Sequence, residues 1–225
     1  MNRLQLLYRS TLGKKYVMAV TGLLLFVFVI IHMLGNLQIY IGKDALNAYG
    51  EFLKGKPLLL WGARLGLLLT VLLHIWTAIQ LVIRNRRARP VKYEGGTPVA
   101  ASLGSRTIAY SGLIILAFVI YHLLHFTAGV TDRAAFEQTD LLGRHDVYSM
   151  VVLGFQNVWV SAFYVLAMGL LCLHLSHGVS SMFQSLGIKS GAYDKTFDTL
   201  AKWASLAVFI GNCSIPVAVL AGLVA

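Results

Sequence analysis

Five apolar runs, at about 16–41, 58–83, 107–130, 157–183 and 201–224, leave this 225-residue chain little choice of architecture. Each is long enough to cross a bilayer as a helix, because a rise of about 1.5 Å per residue needs about 20 residues to traverse ~30 Å of hydrocarbon. Backbone groups find no water at that depth, so a spanning segment must satisfy its own N–H and C=O groups internally. Composition agrees: 57% of the residues are hydrophobic and 12% charged, against about 25% charged in an ordinary soluble domain. The expected fold is an all-α integral membrane bundle of five transmembrane helices, a single domain over 1–225. The first run follows Arg3, Arg9, Lys14 and Lys15, as a signal peptide's core would. It is nevertheless read as a span, since it exceeds the usual ~7–15 residue apolar core, carries His32 and precedes no small-x-small cleavage site.

A net charge of +10 would suit a nucleic-acid binder, but the basic residues sort by side of the membrane instead. With the N-terminus inside, the inner segments hold Arg3, Arg9, Lys14, Lys15, Arg84, Arg86, Arg87, Arg89, Lys92, Arg106, Lys189, Lys195 and Lys202. The outer ones keep Lys43, Lys54, Lys56, Arg64, Arg133 and Arg144. Acids divide the other way, with Glu94, Asp194 and Asp198 inside against Asp44, Glu51, Asp132, Glu137, Asp140 and Asp146 outside. The positive-inside rule then gives a cytoplasmic N-terminus and an external C-terminus. The basic inner face suits a soluble partner and no nucleic acid.

Cys172 and Cys213 both fall within spans and form no CxxC or CxxCH pattern, which argues against covalent haem, zinc ribbons or an iron–sulfur cluster in this chain. No GxxxxGK[ST], HExxH or GxGxxG motif occurs, so no nucleotide or hydrolytic site declares itself. Residues 84–98, "RNRRARPVKYEGGTP", read as the loop joining spans two and three.

The chemistry is carried by histidines. Of the seven, His32 lies in span one, His74 in span two, His122 and His125 in span three, and His174 and His177 in span four. His145 belongs to the outer loop "TDRAAFEQTDLLGRHD" and reads as an ordinary solvated side chain. Because odd spans run outward and even spans inward, position converts to depth. His32 and His122 are about 16 and 15 residues from the inner ends of their spans, in the outer half; His74 and His174 are about 16 and 17 residues from the outer ends of theirs, in the inner half. Four imidazoles thus fall into two pairs on four helices, at heights differing by roughly 10–15 Å. One buried histidine is adequately explained by a hydrogen bond to a neighbouring helix, worth about 1 kcal/mol. Four at two matched depths suit two stacked haems, each taking a neutral imidazole on both axial faces.

A second regularity supports the levels. Thr21 and Gly22 precede His32 by 11 and 10 residues, and Ser111 and Gly112 precede His122 by the same steps. Eleven residues is about three turns, which places each hydroxyl on its histidine's face one level further in. Thr21 and Ser111 are therefore read as lining the inner haem, with Gly22 and Gly112 giving it room; packing of small residues between helices is an equal alternative. Gly62 and Gly66, beside Arg64, read as packing.

The segments "FVIIHMLGN", "LLHIWTAI", "VIYHLLHFT" and "LHLSHGVSSMFQSLG" resemble the single-subunit, five-helix di-haem cytochrome b anchors of succinate dehydrogenases and fumarate reductases, over nearly the whole chain. The spacing of His174, Gly178 and Gly187 is the most specific part. The resemblance implies that His32 and His122 bind the outer haem iron and His74 and His174 the inner. It prefers His122 to His125 and His174 to His177. His125 and His177 then either meet a haem propionate or quinone, or satisfy a neighbouring helix. It implies two haems b, menaquinone or another quinone as electron acceptor, and a multi-pass protein of the bacterial cytoplasmic membrane. It also implies partner flavoprotein and iron–sulfur subunits, which carry FAD and the clusters and oxidise succinate. Where some members of the family place a glutamate two residues before the fourth-span ligand, associated with proton movement, this chain has Cys172.

For the quinone pocket the sequence offers "GKDALNAYGEFLKGKP", 42 to 57, with Asp44, Asn47, Tyr49, Glu51 and Lys54, read largely as a solvated outer loop; Glu51 is the preferred proton donor or acceptor. Two rivals remain: a di-haem anchor for a formate dehydrogenase or hydrogenase, and a haem-free transporter using the histidines as a proton relay.

Overall fold

The computed structural model describes residues 8–88, 103–189 and 191–225, with side chains described from 107 onward in the middle stretch. Arg3, Arg89, Lys92 and Glu94 of the charge asymmetry, the side chain of Arg106, and most of the loop 84–98 lie outside the described residues. All regular structure among the described residues is helical, apart from a single antiparallel bridge between Thr139 and His145.

Ser10 starts helix α1 (Thr11–Asn36), its hydroxyl accepting from the Gly13 N–H at 2.9 Å. A 3-10 turn, Leu37–Tyr40, extends α1. Gly42, at φ +131°, adopts a backbone that side chains resist and turns the chain into α2 (Lys43–Lys54). Pro57, whose missing N–H costs nothing at the first helical position, opens α3 (Pro57–Arg87). Helix α4 (Leu103–His122) runs directly into a π-turn, Leu123–Thr127. Asp132 caps the short α5 (Arg133–Phe136) and Asp146 caps α6 (Val147–Gln156). Asn157 ends α6 and caps α7 (Val158–Ser185) through the N–H groups of Trp159 and Val160. A 3-10 turn, Gly191–Tyr193, leads into α8 (Asp194–Leu220).

The five long apolar segments are Thr11–Tyr40, Pro57–Arg87, Thr107–Thr127, Val158–Ser185 and Gly191–Leu220, so the chain is a polytopic all-α membrane protein. The last begins before the expected residue 201, because the polar turns holding Asp194, Lys195 and Asp198 are helical too. There Lys189 donates to Asp198 at 2.7 Å and to Ser180 at 3.1 Å, and Ser180 also bonds Asp198, closing the turn between α7 and α8.

Segment 42–57 departs from expectation. It folds mainly as a helix, because Leu46, Asn47 and Leu53 recur at helical spacing and turn one face inward, burying Leu46 and Asn47. Gly62 and Gly66 also differ: nothing lies within 4 Å of a Cβ added at either, so neither mediates close helix packing. His145 is half-buried against the Phe136 ring, 5.0 Å between centroids, rather than solvated. Burial pushes its imidazole below the ordinary value.

Helices α1, α3, α4 and α7 form a quartet. Helix α3 packs along α1, α1 along α7, and α7 along α4, while among the described residues α3 has no substantial packing against α4 or α7. Helix α8 lies against α7 from the outside and also touches α1. The quartet's neighbours therefore run in the order α3, α1, α7, α4. Its diagonals are α1 with α4 and α3 with α7.

Candidate functional site

The histidines of each level sit at opposite ends of these diagonals. Across the first, the rings of His32 on α1 and His122 on α4 stand 5.7 Å apart, centroid to centroid, with an interplanar angle of 88°. Two imidazoles bonded to one metal at about 2 Å each would hold their centres about 6 Å apart, which is the separation seen. Across the second, His74 on α3 and His174 on α7 are close enough to interact electrostatically. Neither diagonal is closed by direct helix packing. His32 is itself exposed, although its ring meets that of His122.

The tautomers at the inner level follow from the hydroxyl groups. Thr21 Oγ1 donates its hydrogen to the Val17 carbonyl at 2.7 Å, one turn back on α1. Its oxygen also lies 3.0 Å from Nδ1 of His74. When the hydroxyl hydrogen stays on that carbonyl, Nδ1 of His74 carries the N–H and donates, which leaves the lone pair on Nε2. Ser111 repeats the arrangement: its hydroxyl donates to the Ile108 carbonyl at 3.1 Å and its oxygen lies 3.2 Å from Nδ1 of His174. Both hydroxyl residues are buried, Ser111 at 2% exposure and Thr21 at 5%. A Cβ added at Gly22 or Gly112 would lie 3.6 Å from Cε1 of His74 or His174, so each glycine flanks the imidazole that its neighbouring hydroxyl holds. The hydroxyls thus touch the histidines of the inner level themselves. A fixed Nδ1–H partner is the usual companion of a metal-bound histidine.

At the outer level His122 Nδ1 lies 3.3 Å from the hydroxyl of Tyr164 on α7, and His125 Nδ1 lies 3.1 Å from the same oxygen. His32 stacks on Phe28, 5.4 Å between centroids. His125 does not face His32. The π-turn places it, 5% exposed, between α7 and α6, where a Cβ at Gly154 would come within 2.9 Å of its Nε2. His177 is half-buried on α7, within electrostatic reach of His174 and Lys189. One and two turns from His74 along α3, Thr77 Oγ1 and Gln80 Oε1 are buried without a hydrogen-bond partner among the described residues.

Glu51 lies exposed on α2, its side chain making no hydrogen bond or ion pair among the described residues. Beside it stands a clasp that sequence alone does not reveal. Asn47, fully buried, donates to Asp146 at 3.0 Å and to Asp140 at 3.3 Å and accepts from the Tyr148 N–H at 2.9 Å. Lys43 pairs with Asp146 at 2.6 Å, and Arg144 bridges Asp44 and Asp140 at 2.7 Å each. Tyr49 packs on Gly35, three residues beyond His32. Together they fasten α2 and the 132–146 segment over the end of the bundle nearest His32 and His122. Tyr164 was also missed, although a clue existed. It precedes His174 by ten residues, the same step of about three turns that links Gly22 to His32 and Gly112 to His122.

Among the described residues no group of three or more His, Cys, Asp and Glu side chains is placed to hold a metal ion. Two surface grooves, one beside Pro216 between α7 and α8 and one at Lys43, Tyr148 and Gln156, have no histidine in their lining. Comparison of the chain with protein-family models, with curated proteins and with solved structures finds no match.

Proposed function

We propose that the chain is a di-haem cytochrome b that anchors a succinate:quinone oxidoreductase in the membrane. The observation that carries this reading is the meeting of the His32 and His122 rings across one diagonal, together with the matched hydroxyl contacts to Nδ1 of His74 and His174 on the other, an arrangement that can leave Nε2 to bind a metal. A donor set of two neutral nitrogens is too small for a bare structural ion, which takes four ligands, and suits an iron already held by a porphyrin. Each haem, when bound, supplies a one-electron carrier cycling between ferric and ferrous iron.

The chain's own residues do the rest. His32 and His122 would hold the outer haem, and His74 and His174 the inner. Thr21 and Ser111 fix the inner rings and their tautomers, and Gly22 and Gly112 leave space beside those rings. The apolar walls exclude water, which keeps electron transfer to the intended partners. The basic segments at the N-terminal end of the bundle offer a docking face for an iron–sulfur subunit paired with a flavoprotein. Electrons from succinate would then enter at the inner level and leave at the outer level to a quinone, menaquinone by the family resemblance. Glu51 can exchange protons with solvent at that end, but no contact links it to the histidines.

The visible spectrum of the purified, dithionite-reduced assembly tests the reading. A b-type α band and two haems per chain are expected; a colourless protein would sink it. Thr21→Val removes the acceptor for His74 Nδ1 while keeping the shape. It is expected to weaken retention of the inner haem about 10-fold and to leave the outer untouched, measured as haem per protein after detergent washing.

A further inference from the structure

The role of Tyr164 extends the di-haem reading and rests on it. We propose that Tyr164 is the positioning residue of the outer haem: its oxygen accepts the Nδ1–H of His122, its own hydrogen goes to Nδ1 of His125, and this chain strengthens His122 as an electron donor to iron.

Three groups share two hydrogens here. If Nε2 of His122 binds a metal, Nδ1 of His122 carries a hydrogen and can only donate, so the phenol oxygen, 3.3 Å away, accepts it. The phenol hydrogen then has one acceptor in reach, Nδ1 of His125 at 3.1 Å. His125 therefore keeps its own hydrogen on Nε2. The order is fixed by valence.

The arrangement is built. Tyr164 is 6% exposed and His125 5%. Phe155 and Phe118 hold the Tyr164 ring edge-on at 4.9 and 5.0 Å. The π-turn directly after His122 swings His125 onto the phenol, closed by the Ala128 N–H donating to the Leu123 carbonyl five residues back. Gly154 on α6 supplies the space that the His125 ring occupies.

The two levels differ in where the hydroxyl hydrogen goes. At both levels the hydroxyl passes its hydrogen on, to a backbone carbonyl at the inner level and to the His125 side chain at the outer, and a hydroxyl that donates is a better acceptor in turn. A stronger acceptor on Nδ1–H makes the imidazole more basic, favours the ferric state and lowers the reduction potential. Tyr164 thus holds down the potential of the outer haem.

The test is a redox titration of the full holo-complex followed at the b-type band, with the outer component assigned as the one missing from a His122→Ala chain. Tyr164→Phe keeps the ring packing and is expected to raise the midpoint of the outer component, leave the inner one in place and retain two haems. No shift, or an equal shift of both, overturns the proposal. If the Phe variant loses the outer haem, His125→Phe decides: a smaller upward shift confined to the outer component supports the chain of bonds, and an unmoved one overturns it. A parent protein without haem would sink the di-haem reading and Tyr164's role together; two haems with unmoved potentials would sink Tyr164's role alone.

Discussion

A His122→Ala chain is expected to carry one haem where the parent carries two, and a His74→Ala chain likewise, each missing a different spectral component. The losses should be independent because the levels share no ligand. His122 faces His32 across the α1–α4 diagonal, while His74 and His174 occupy the α3–α7 diagonal and are oriented by Thr21 and Ser111. His125→Ala is expected to keep both haems, since its ring faces Tyr164 and Gly154 rather than His32. The pyridine haemochrome assay per mole of protein reads all three. Retention of two haems in His122→Ala, together with loss of one in His125→Ala, would assign the ligand to the wrong member of "YHLLHF".

The second large effect concerns the clasp over the outer end. Asp146→Ala removes the cap of α6, the partner of Lys43 and one acceptor of the buried Asn47 amide. Leaving such a buried group unpaired costs about 1–3 kcal/mol, and a lost cap about 1 kcal/mol more. The melting temperature in detergent should fall, with α2 becoming protease-sensitive before the long helices do. Acid should act in the same direction. Burial opposes ionisation of Asp146, but hydrogen bonds from Lys43, Asn47 and Ser149 outweigh it and hold the carboxyl well below the usual carboxylate range. A carboxyl depressed in this way contributes its full stabilisation above the unfolded value of about 4 and loses it as pH falls toward the folded value. The parent's melting temperature should therefore drop on acidification below about pH 4, and that part of the drop should be missing in Asp146→Ala. An identical acid profile in both would remove Asp146 from the account.

How much of this was legible in the sequence depended on whether distance along the chain converts to distance in space. Inside a span it does: the helical rise turns residue number into depth, which is why His32 could be matched to His122, and Thr21 to the level of His74, before any fold was known. Between elements it does not. Asn47 and Asp146 are 99 residues apart and meet only because α2 folds back over the bundle. Helix α6, "VYSMVVLGFQ", is too short to announce itself as a span and has no polar face to mark it as a surface helix. Rotation about a helix axis is also hidden. Three residues separate His122 from His125, a spacing that keeps both on one side of a regular helix, and after the π-turn the second ring lies against Gly154 on α6 while the first meets His32.

The open side of the quartet has a consequence for assembly. Because among the described residues α3 leans on α1 and has no substantial packing on α4 or α7, a pigment gripped by His74 and His174 would act as a rivet between α3 and α7. Insertion of that inner pigment would then be a late fastening step in biogenesis, and chains starved of it should expose the second span to quality-control proteases first.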